Sequence, residues 1–428
     1  MSPISTPISA RKLLVLDASY AWEDIRARGL ERSVTCRDLD GFFEHVWTVH
    51  PFASLVEQHT AKFGRPETHE PAPAHTFIDG KIGRFEELRR FSTLNFLVGQ
   101  SALFAELVTL IRREKISAIR VGDPLYNGLI GLALSRVCGI PLVVRVNANY
   151  DEVYEITGRP MMPRLFPWRG LEKAVFGFVL ARADLVAAVN KDNLDFAFAN
   201  GAKPQRSTVF RYGNLIDQRH LTSPETRDRS WSVLADVWSE PTPFLLNIGR
   251  LEAMKCPDQA IRVFAEVRRR GHDVKLAMVG DGQLRDSLEA LTRDLGVEEH
   301  VAFLGNRDQG WLARVIPMAA AVLSPCTGRA LSECAFGAAP IGAYDLDWQG
   351  EIIVTGETGE LAPAGDWSKL ADGIAKFLDD PAYARAMGDA VRKRAFEMLD
   401  PATLDEHERN QYAQLLQRTE SGRRSARL

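Results

Sequence analysis

Short, near-continuously apolar runs recur along this chain, and most of them are separated by segments long enough for a helix. In the first half they are KLLVLD (12–17), HVWTVH (45–50), ISAIRVGD (116–123), PLVVRVN (141–147), DLVAAVN (184–190) and STVFRYGN (207–214). A strand covered on one face alternates apolar and polar residues, whereas a strand covered on both faces does not. These runs therefore predict a doubly wound parallel sheet with helices on either side. The segment 55–75, containing RPETHEPAPAH, breaks the rhythm and is expected to be a loop.

The second half repeats the pattern with PFLLNIG (243–249), VKLAMVG (274–280), VAFLG (301–305), AVLSP (321–325) and APIGAYD (339–345). Leu284, Leu288, Leu291 and Leu295 fall on one helical stripe that Gly296 would end, and Ile261, Phe264 and Ala265 do the same ahead of Gly271. Between the halves, 222–243 is rich in polar and proline residues and reads as the boundary. The expected architecture is α/β, with two Rossmann-like domains at 1–221 and 222–400 facing a central cleft. A helix over 401–428 would return to the first domain. Open parallel sheets bind ligands at the carboxyl ends of their strands, so those rims are where chemistry is sought.

Composition narrows the classes. The chain has 428 residues, 45% apolar and 25% charged, enough for two cores. A formal net charge of −3 gives no overall attraction to nucleic acid, and the arginine-dense end, RTESGRRSARL, reads as a solvated terminus. Five cysteines, mostly far apart, form no C-x-x-C pair and no zinc-spaced Cys/His cluster, which favours a reducing compartment and offers no metal site. The apolar run near the N-terminus is too short for a signal-peptide core and no run approaches an uninterrupted membrane span, so a cytoplasmic location is expected.

Candidate chemistry gathers after the strands of the second half. If the strand 243–249 ends at Gly249, Arg250 and Lys255 fall in the following loop. Two cations there either pair with Glu252 or Asp258 or meet an anion. VGDG (279–282), FLG (303–305), SPCTGRALSE (324–333) and EIIVTGETGEL (351–361) put further glycine-rich turns on the same rim. Thr327-Gly328 ahead of a helix would present free N–H groups and the positive end of a helix dipole, an anion site to which Arg250 and Lys255 add charge. Together they would hold a diphosphate without a metal. Glu333 falls roughly one and a half turns into that helix, where a carboxylate can accept from two neighbouring ribose hydroxyls. The alternative is a buried Glu paired with an arginine or a backbone group.

The order and spacing of these residues resemble the retaining glycosyltransferases of the GT-B fold, family 4. That family's G-R-L-x-x-x-K, V-G-x-G, E-x7-E and G-x-T-G-x-L-x-P motifs are similar here to Gly249-Arg250-Leu251 with Lys255, Val279-Gly280-Asp281-Gly282, Ser324 through Glu333, and Gly356-Glu357-Thr358-Gly359-Glu360-Leu361-Ala362-Pro363. The likeness covers about 243–400 well and the first half more faintly, through 128–146, 181–190 and NLID (214–217). The resemblance implies transfer of a sugar from a nucleotide diphosphate sugar to an acceptor hydroxyl with retained configuration, and no cofactor or metal. It places Arg250 and Lys255 on the diphosphate as the catalytic cations, Glu333 on the ribose, and the amides of Gly328, Arg329 and Ala330 on the distal phosphate. The base would lie near Gly282, Gly305 and Asn306.

The chain departs from that pattern at several points. Pro325 stands where the family places the first Glu of its pair, and AYDLDWQGE (343–351) stands where many members have a Gly-Gly turn, leaving Asp345 and Asp347 as substitutes for sugar contact. No glycine-rich loop follows the first strand; Ser19, Tyr20 and Trp22 are candidates for an acceptor pocket, as are Asn147, Asn149, Tyr150 and Asp151 after the strand 141–147. The stretch 159–183 interleaves arginines with Met, Phe and Trp, which fits either a loop leading into a core helix or peripheral contact with an anionic membrane at its inner face. Two other readings compete. A nucleotide-sugar epimerase of the same fold needs histidines around the sugar, and none lies between His300 and His407. A non-catalytic nucleotide-sugar-binding partner subunit fits Pro325 but not the intact Arg250, Lys255 and Glu333. A nicotinamide dehydrogenase lacks its G-x-G-x-x-G after the first strand.

Overall fold

The apolar runs of the first half form β1 (Lys12–Leu16), β2 (His45–His50), β5 (Ala118–Val121), β6 (Leu142–Val146), β7 (Leu185–Ala188) and β8 (Ser207–Val209), to which β3 (Glu67–Ala72) and β4 (His75–Asp79) are added. They make one sheet in the order β3-β4-β2-β1-β5-β6-β7-β8. Every neighbouring pair is parallel except β3 with β4, which run antiparallel. The computed structural model describes residues 11–27, 29–55, 62–211, 216–228, 230–326 and 328–425.

The hairpin β3–β4 corrects the loop expected over 55–75. β3 reads ETHEPA, exposed or half-buried throughout and carrying Pro71. A polar, proline-bearing strand is what a sheet edge favours, and it has no apolar pattern by which to be recognised.

The chain divides into two units, Met1–Arg211 with Ala402–Leu428, and Tyr212–Pro401. In unit 1 both sheet faces are covered. Leu103, Leu107 and Ile111 of the helix Ser92–Glu114 pack on one face with Leu14, Leu16, Ile119 and Val121. That helix is long and apolar enough to cross a membrane by length and composition, with 28% of its most apolar window buried. The other face takes Tyr412 and Leu415 of the helix Pro401–Ser425 against Leu13, Val15 and Phe210. The same helix buries Glu408, whose Oε1 accepts from Arg120 at 3.0 Å while Oε2 lies 3.9 Å from Arg145.

Unit 2 holds β9 (Phe244–Ile248), β10 (Lys275–Val279), β11 (Val301–Phe303), β12 (Ala321–Ser324), β13 (Ile341–Asp345) and β14 (Glu360–Pro363), all parallel, in the order β11-β10-β9-β12-β13-β14. Ile261 and Phe264 are fully buried on the inner face of the helix Pro257–Arg269, as their stripe predicts. Leu288 is buried in the next helix, but Leu295 at its end is 37% exposed.

The polar segment 222–243, read as the boundary between the halves, is packed structure within unit 2. Leu234 is fully buried, and Trp238 lies 6.3 Å from the ring of Trp231 and 5.6 Å from Phe244. Unit 2 begins before it, at Tyr212, because Ile216 joins the core of Phe244, Leu246 and Val279 and His220 bonds Gln309. Positions 214 and 215 of NLID lie outside the described residues, as do Thr327, 1–10 and 426–428.

Candidate functional site

Three loops at the carboxyl edge of the unit 2 sheet are laced together by backbone contacts. Gly249 N donates to Val279 O at 2.9 Å, Leu251 N to Asp281 O at 3.0 Å, and Gly280 N to Gly305 O at 2.8 Å. The approach is close enough to require glycine at two places. A methyl built on Gly280 would lie 1.9 Å from Gly249 O, and one on Gly282 would lie 2.5 Å from Leu251 O. The glycines of GRL and VGDG thus exist so that one loop can lie on the next, which fixes where Arg250 and Lys255 emerge.

Arg250 Nη1 lies 3.0 Å from Glu252 Oε1, so the surface pairing weighed from the sequence is present for this residue. Lys255 makes no ion pair among the described residues. It ends a 3-10 turn, Ala253–Lys255, and a methyl built on Gly328 would lie 3.2 Å from its Nζ. The ammonium therefore stands over the start of the helix Arg329–Phe336, where Gly328 adopts φ +65° and ψ −126°. That conformation is open to glycine and strained for other residues. The first N–H groups of such a helix lack intrahelical acceptors, so Gly328, Arg329, Ala330 and Lys255 gather donors and positive charge at one point.

The turn before Gly328 is held by a residue that sequence reasoning missed. Gln349 is 1% exposed. Its Oε1 accepts from Ser324 Oγ at 2.7 Å, and its Nε2 donates to Pro325 O at 2.8 Å and Tyr344 O at 3.0 Å. Pro325, where the family likeness calls for a carboxylate, is buried and offers its carbonyl to this amide.

Glu333 is 3% exposed. Burial pushes its carboxyl up from the ordinary range, opposed by Arg329, 3.4 Å away, and by a hydrogen bond from Gln309. It thus has the arginine partner of the structural alternative and also lies on the helix that the Gly328 turn opens. Asp345 is exposed at the end of β13, and a methyl on Gly350 would fall 2.6 Å from its Oδ1. Asp347 takes φ +55°, the left-handed conformation that a glycine would supply at that turn. Gly305, φ +64°, and the exposed Asn306 follow β11 on the same edge.

The carboxyl edge of the unit 1 sheet brings together a different set. Asp17 after β1, His50 ending β2, Asp79 ending β4 and Asp123 after β5 follow adjacent strands, and none was singled out from the sequence. The signal was available as one polar residue directly closing each apolar run. Burial would raise the Asp17 carboxyl, but Arg37 Nη2 at 2.5 Å and two bonds from Ser19 hold it at about 2. Burial lifts Asp123 to about 6 against its bonds from Leu125 N and Asn127, and burial lowers His50 to about 4.

Among the expected acceptor-side residues, Asn147 stays on this edge, exposed, with Nδ2 donating to Gly122 O at 2.7 Å. Tyr20 is half-buried and packs with Trp22. Trp22 itself is core, 8% exposed. Asn149 and Asp151 turn to structural work. Asn149 Oδ1 caps the helix Tyr150–Thr157 by accepting from Asp151 N and Glu152 N. Asp151 pairs with Arg169 and, at 2.9 Å, with Lys173. Tyr150 is 4% exposed and packs on Phe176.

The comparisons with known proteins place these loops inside one matched span. The family description "Glycosyl transferases group 1" matches residues 235–394, the span from Gly249 through the Thr358-Gly359 turn and beyond. Those residues are a group 1 glycosyltransferase domain. The relatives that match are named as glycosyltransferases, and the fold of the chain is GT-B. The alpha-D-kanosaminyltransferase of Streptomyces kanamyceticus is 29% identical over 261 residues, 60% of this chain and 66% of that relative, just under two thirds of its length. The N-acetyl-alpha-D-glucosaminyl L-malate synthase of Bacillus anthracis is 22% identical over 72% of this chain and 78% of the relative. Among solved structures, HepE of Anabaena in complex with UDP and glucose superposes with a TM-score of 0.70 at 18% identity, covering 94% of this chain and all of that one. In the glycosyltransferase domain, the helix with Glu333 and the loop with Lys255 both lie inside the matched span.

Proposed function

We propose that this glycosyltransferase binds a nucleotide diphosphate sugar on the carboxyl edge of unit 2 and passes the sugar to an acceptor hydroxyl with its anomeric configuration retained. The observation that carries the reading is the position of Lys255 Nζ over the Gly328 turn, with Glu333 buried just beyond it. As the bond to the sugar breaks, negative charge grows on the leaving diphosphate, and contacts that strengthen with that charge lower the barrier. Lys255, the first N–H groups of the helix Arg329–Phe336 and Arg250, once exchanged from Glu252, supply such contacts. Glu333 accepts from the ribose. No metal is required, because the charge is met by side chains and amides. Unit 1 is the acceptor-binding part, with Asn147 and Asp17 on its rim. The complex of HepE with UDP and glucose favours a uridine donor as the first to test.

Binding of UDP, GDP, ADP and dTDP sugars by calorimetry, repeated with Lys255→Ala, tests this reading. A charge-assisted bond is worth about 1.5–3 kcal/mol, so the variant should turn over about ten- to a hundredfold more slowly at about 1.4 kcal/mol per tenfold. A wild type that binds no nucleotide sugar would favour the non-catalytic alternative. Retention is read from the anomeric coupling in the product.

A second reading concerns location. Trp168 at 70%, Met161 at 49% and Leu171 at 40% exposure lie near the exposed Arg159, Arg164 and Lys173 in unit 1. Apolar side chains interleaved with cations fit peripheral contact with an anionic leaflet. Co-sedimentation with phosphatidylserine vesicles, lost in Trp168→Ser, supports it, and equal recovery in the supernatant dismisses it.

A further inference from the structure

Glu333 is held from behind by a chain of hydrogen bonds that starts in the first helix of unit 2. His220, in the helix Gln218–Leu221, is fully buried, and its Nε2 lies 2.7 Å from Gln309 Oε1. Gln309 opens the helix Gln309–Val315, and its amide acts on the Glu333 carboxyl in the sense of a donated hydrogen bond, favouring the charged form against burial.

The direction of this chain follows from donor and acceptor logic. Burial keeps the imidazole neutral, with one N–H to place. His220 Nδ1 meets no partner among the described residues. A proton there would be a stranded buried donor, and Gln309 would have to donate to Nε2 and turn its oxygen toward a carboxylate that can only accept. With the proton on Nε2, His220 donates to Gln309 Oε1 and the amide N–H points at Glu333. Every link then joins a donor to an acceptor, and only a bare lone pair is left over. Arg329 approaches the same carboxylate at 3.4 Å from within its own helix. Two donors from different elements thus set the orientation of a carboxylate that would otherwise turn about its last bond.

We propose that His220 and Gln309 are positioning residues, and that the relay His220→Gln309→Glu333 aims the Glu333 carboxylate at the adjacent ribose hydroxyls of a nucleoside diphosphate. The inference rests on the reading of Glu333 as the ribose contact. Neither residue touches the ligand. Their effect should appear as nucleotide discrimination and not as general loss of binding.

The test measures calorimetric affinity for the best-binding of UDP, GDP and ADP and for its 2′,3′-dideoxy counterpart. Wild type, His220→Phe, Gln309→Leu and His220→Gln are compared, with melting curves to show that each is folded. His220→Phe and Gln309→Leu should weaken the ribonucleotide about three- to tenfold, the effect of a neutral hydrogen bond, while the dideoxy compound changes by less than about twofold. His220→Gln, whose Nε2 can reach the same point, should recover most of the affinity. Equal weakening of both nucleotides, or of neither, reduces His220 and Gln309 to core packing and overturns the relay. A wild type that binds the two compounds alike removes Glu333 from the ribose, and the parent reading falls with the relay. Should His220→Phe fail to fold, Gln309→Leu, half-exposed, gives the same comparison by itself.

Discussion

Replacing Gln349 by Leu keeps the volume of a buried side chain and removes everything polar about it. In the wild type that amide accepts from Ser324 Oγ and donates to Pro325 O and Tyr344 O, with 1% of its surface exposed. Each bond contributes about 1 kcal/mol net, and leaving the buried Pro325 carbonyl without this donor costs about 1–3 kcal/mol more, while Tyr344 O keeps Leu346 N at 2.9 Å. The two estimates overlap and together place the loss at about 3–5 kcal/mol. In a unit of the size of Tyr212–Pro401, each kcal/mol moves the midpoint by about 2–4 °C, so melting should fall by about 10 °C. The lost bonds tie the Ser324–Pro325 turn to β13, and that turn leads directly into Gly328. Nucleotide affinity should therefore fall by more than tenfold even well below the new midpoint. Gln349→Glu separates the two roles, because it keeps an acceptor for Ser324 and sets a second oxygen against two carbonyls. It should be at least as damaging as Leu. The assay is a thermal melt followed by circular dichroism, paired with nucleotide calorimetry at 20 °C. A Gln349→Leu protein that melts within about 2 °C of wild type would refute the reasoning, and so would one that melts lower but binds normally.

Two further predictions follow from buried titratable groups. Glu408→Gln takes from the buried Arg120 and Arg145 the carboxylate they share; removing one partner of a buried pair costs about 3–5 kcal/mol. Proteolysis within Pro401–Ser425 should accelerate together with a lower melting point, and an unchanged cleavage rate would show that Tyr412 and Leu415 alone hold that helix. The second concerns pH. Burial lowers His220 to about 4, with Gln309 opposing, and Arg227, Asp217 and Arg219 are the charges that face it. The unfolded chain, near the ordinary 6.5, takes the proton first. The stabilisation is thus complete above about pH 6.5 and is lost as pH falls toward 4, up to about 3 kcal/mol at about 1.4 kcal/mol per unit. His50, also lowered to about 4, acts in the same direction in unit 1, while Asp123, raised to about 6, acts in the opposite one over about 4 to 6. The stability of His220→Gln measured in urea from pH 7 to 4 should decline less steeply than that of wild type; parallel slopes would mean the folded chain protonates this imidazole freely.

What could be read from the sequence divides by physical cause. β1, β6, β9 and β12 are legible because burial on both faces leaves an unbroken apolar run. β3 is not, since an edge strand is polar for the same reason that a surface loop is. The segment 222–243 misleads because Leu234, Trp231 and Trp238 pack from within a polar, proline-rich stretch that lacks a period. At the carboxyl edge of unit 2, the positions of Gly280, Gly282, Gly328 and Lys255 are legible because spacing along the chain preserves backbone position. Asn149 is misread as a rim residue although the sequence contains the correction. An Asn followed by Asp151 and Glu152 is the signature of a helix cap, and a side chain that satisfies its own helix is not available to a ligand.

Gln349, Gln309 and His220 escaped notice for the opposite reason. An amide or imidazole has no preferred place in a periodic pattern, and each of these acts on a partner distant in the chain, 25 residues from Gln349 to Ser324 and 89 from His220 to Gln309. Gln349 and His220 act through burial, which makes an unmade hydrogen bond costly and a made one directional. The motif residues of the glycosyltransferase domain therefore set where charge is presented, and the buried amides set how rigidly it is presented. A chain that kept Lys255, Gly328 and Glu333 but lost Gln349 and Gln309 should still match the family and still fold into the same strands. On the proposed reading it should bind a nucleotide with the turn loosened and the carboxylate free to rotate, so a match to the family alone is a poor guide to turnover.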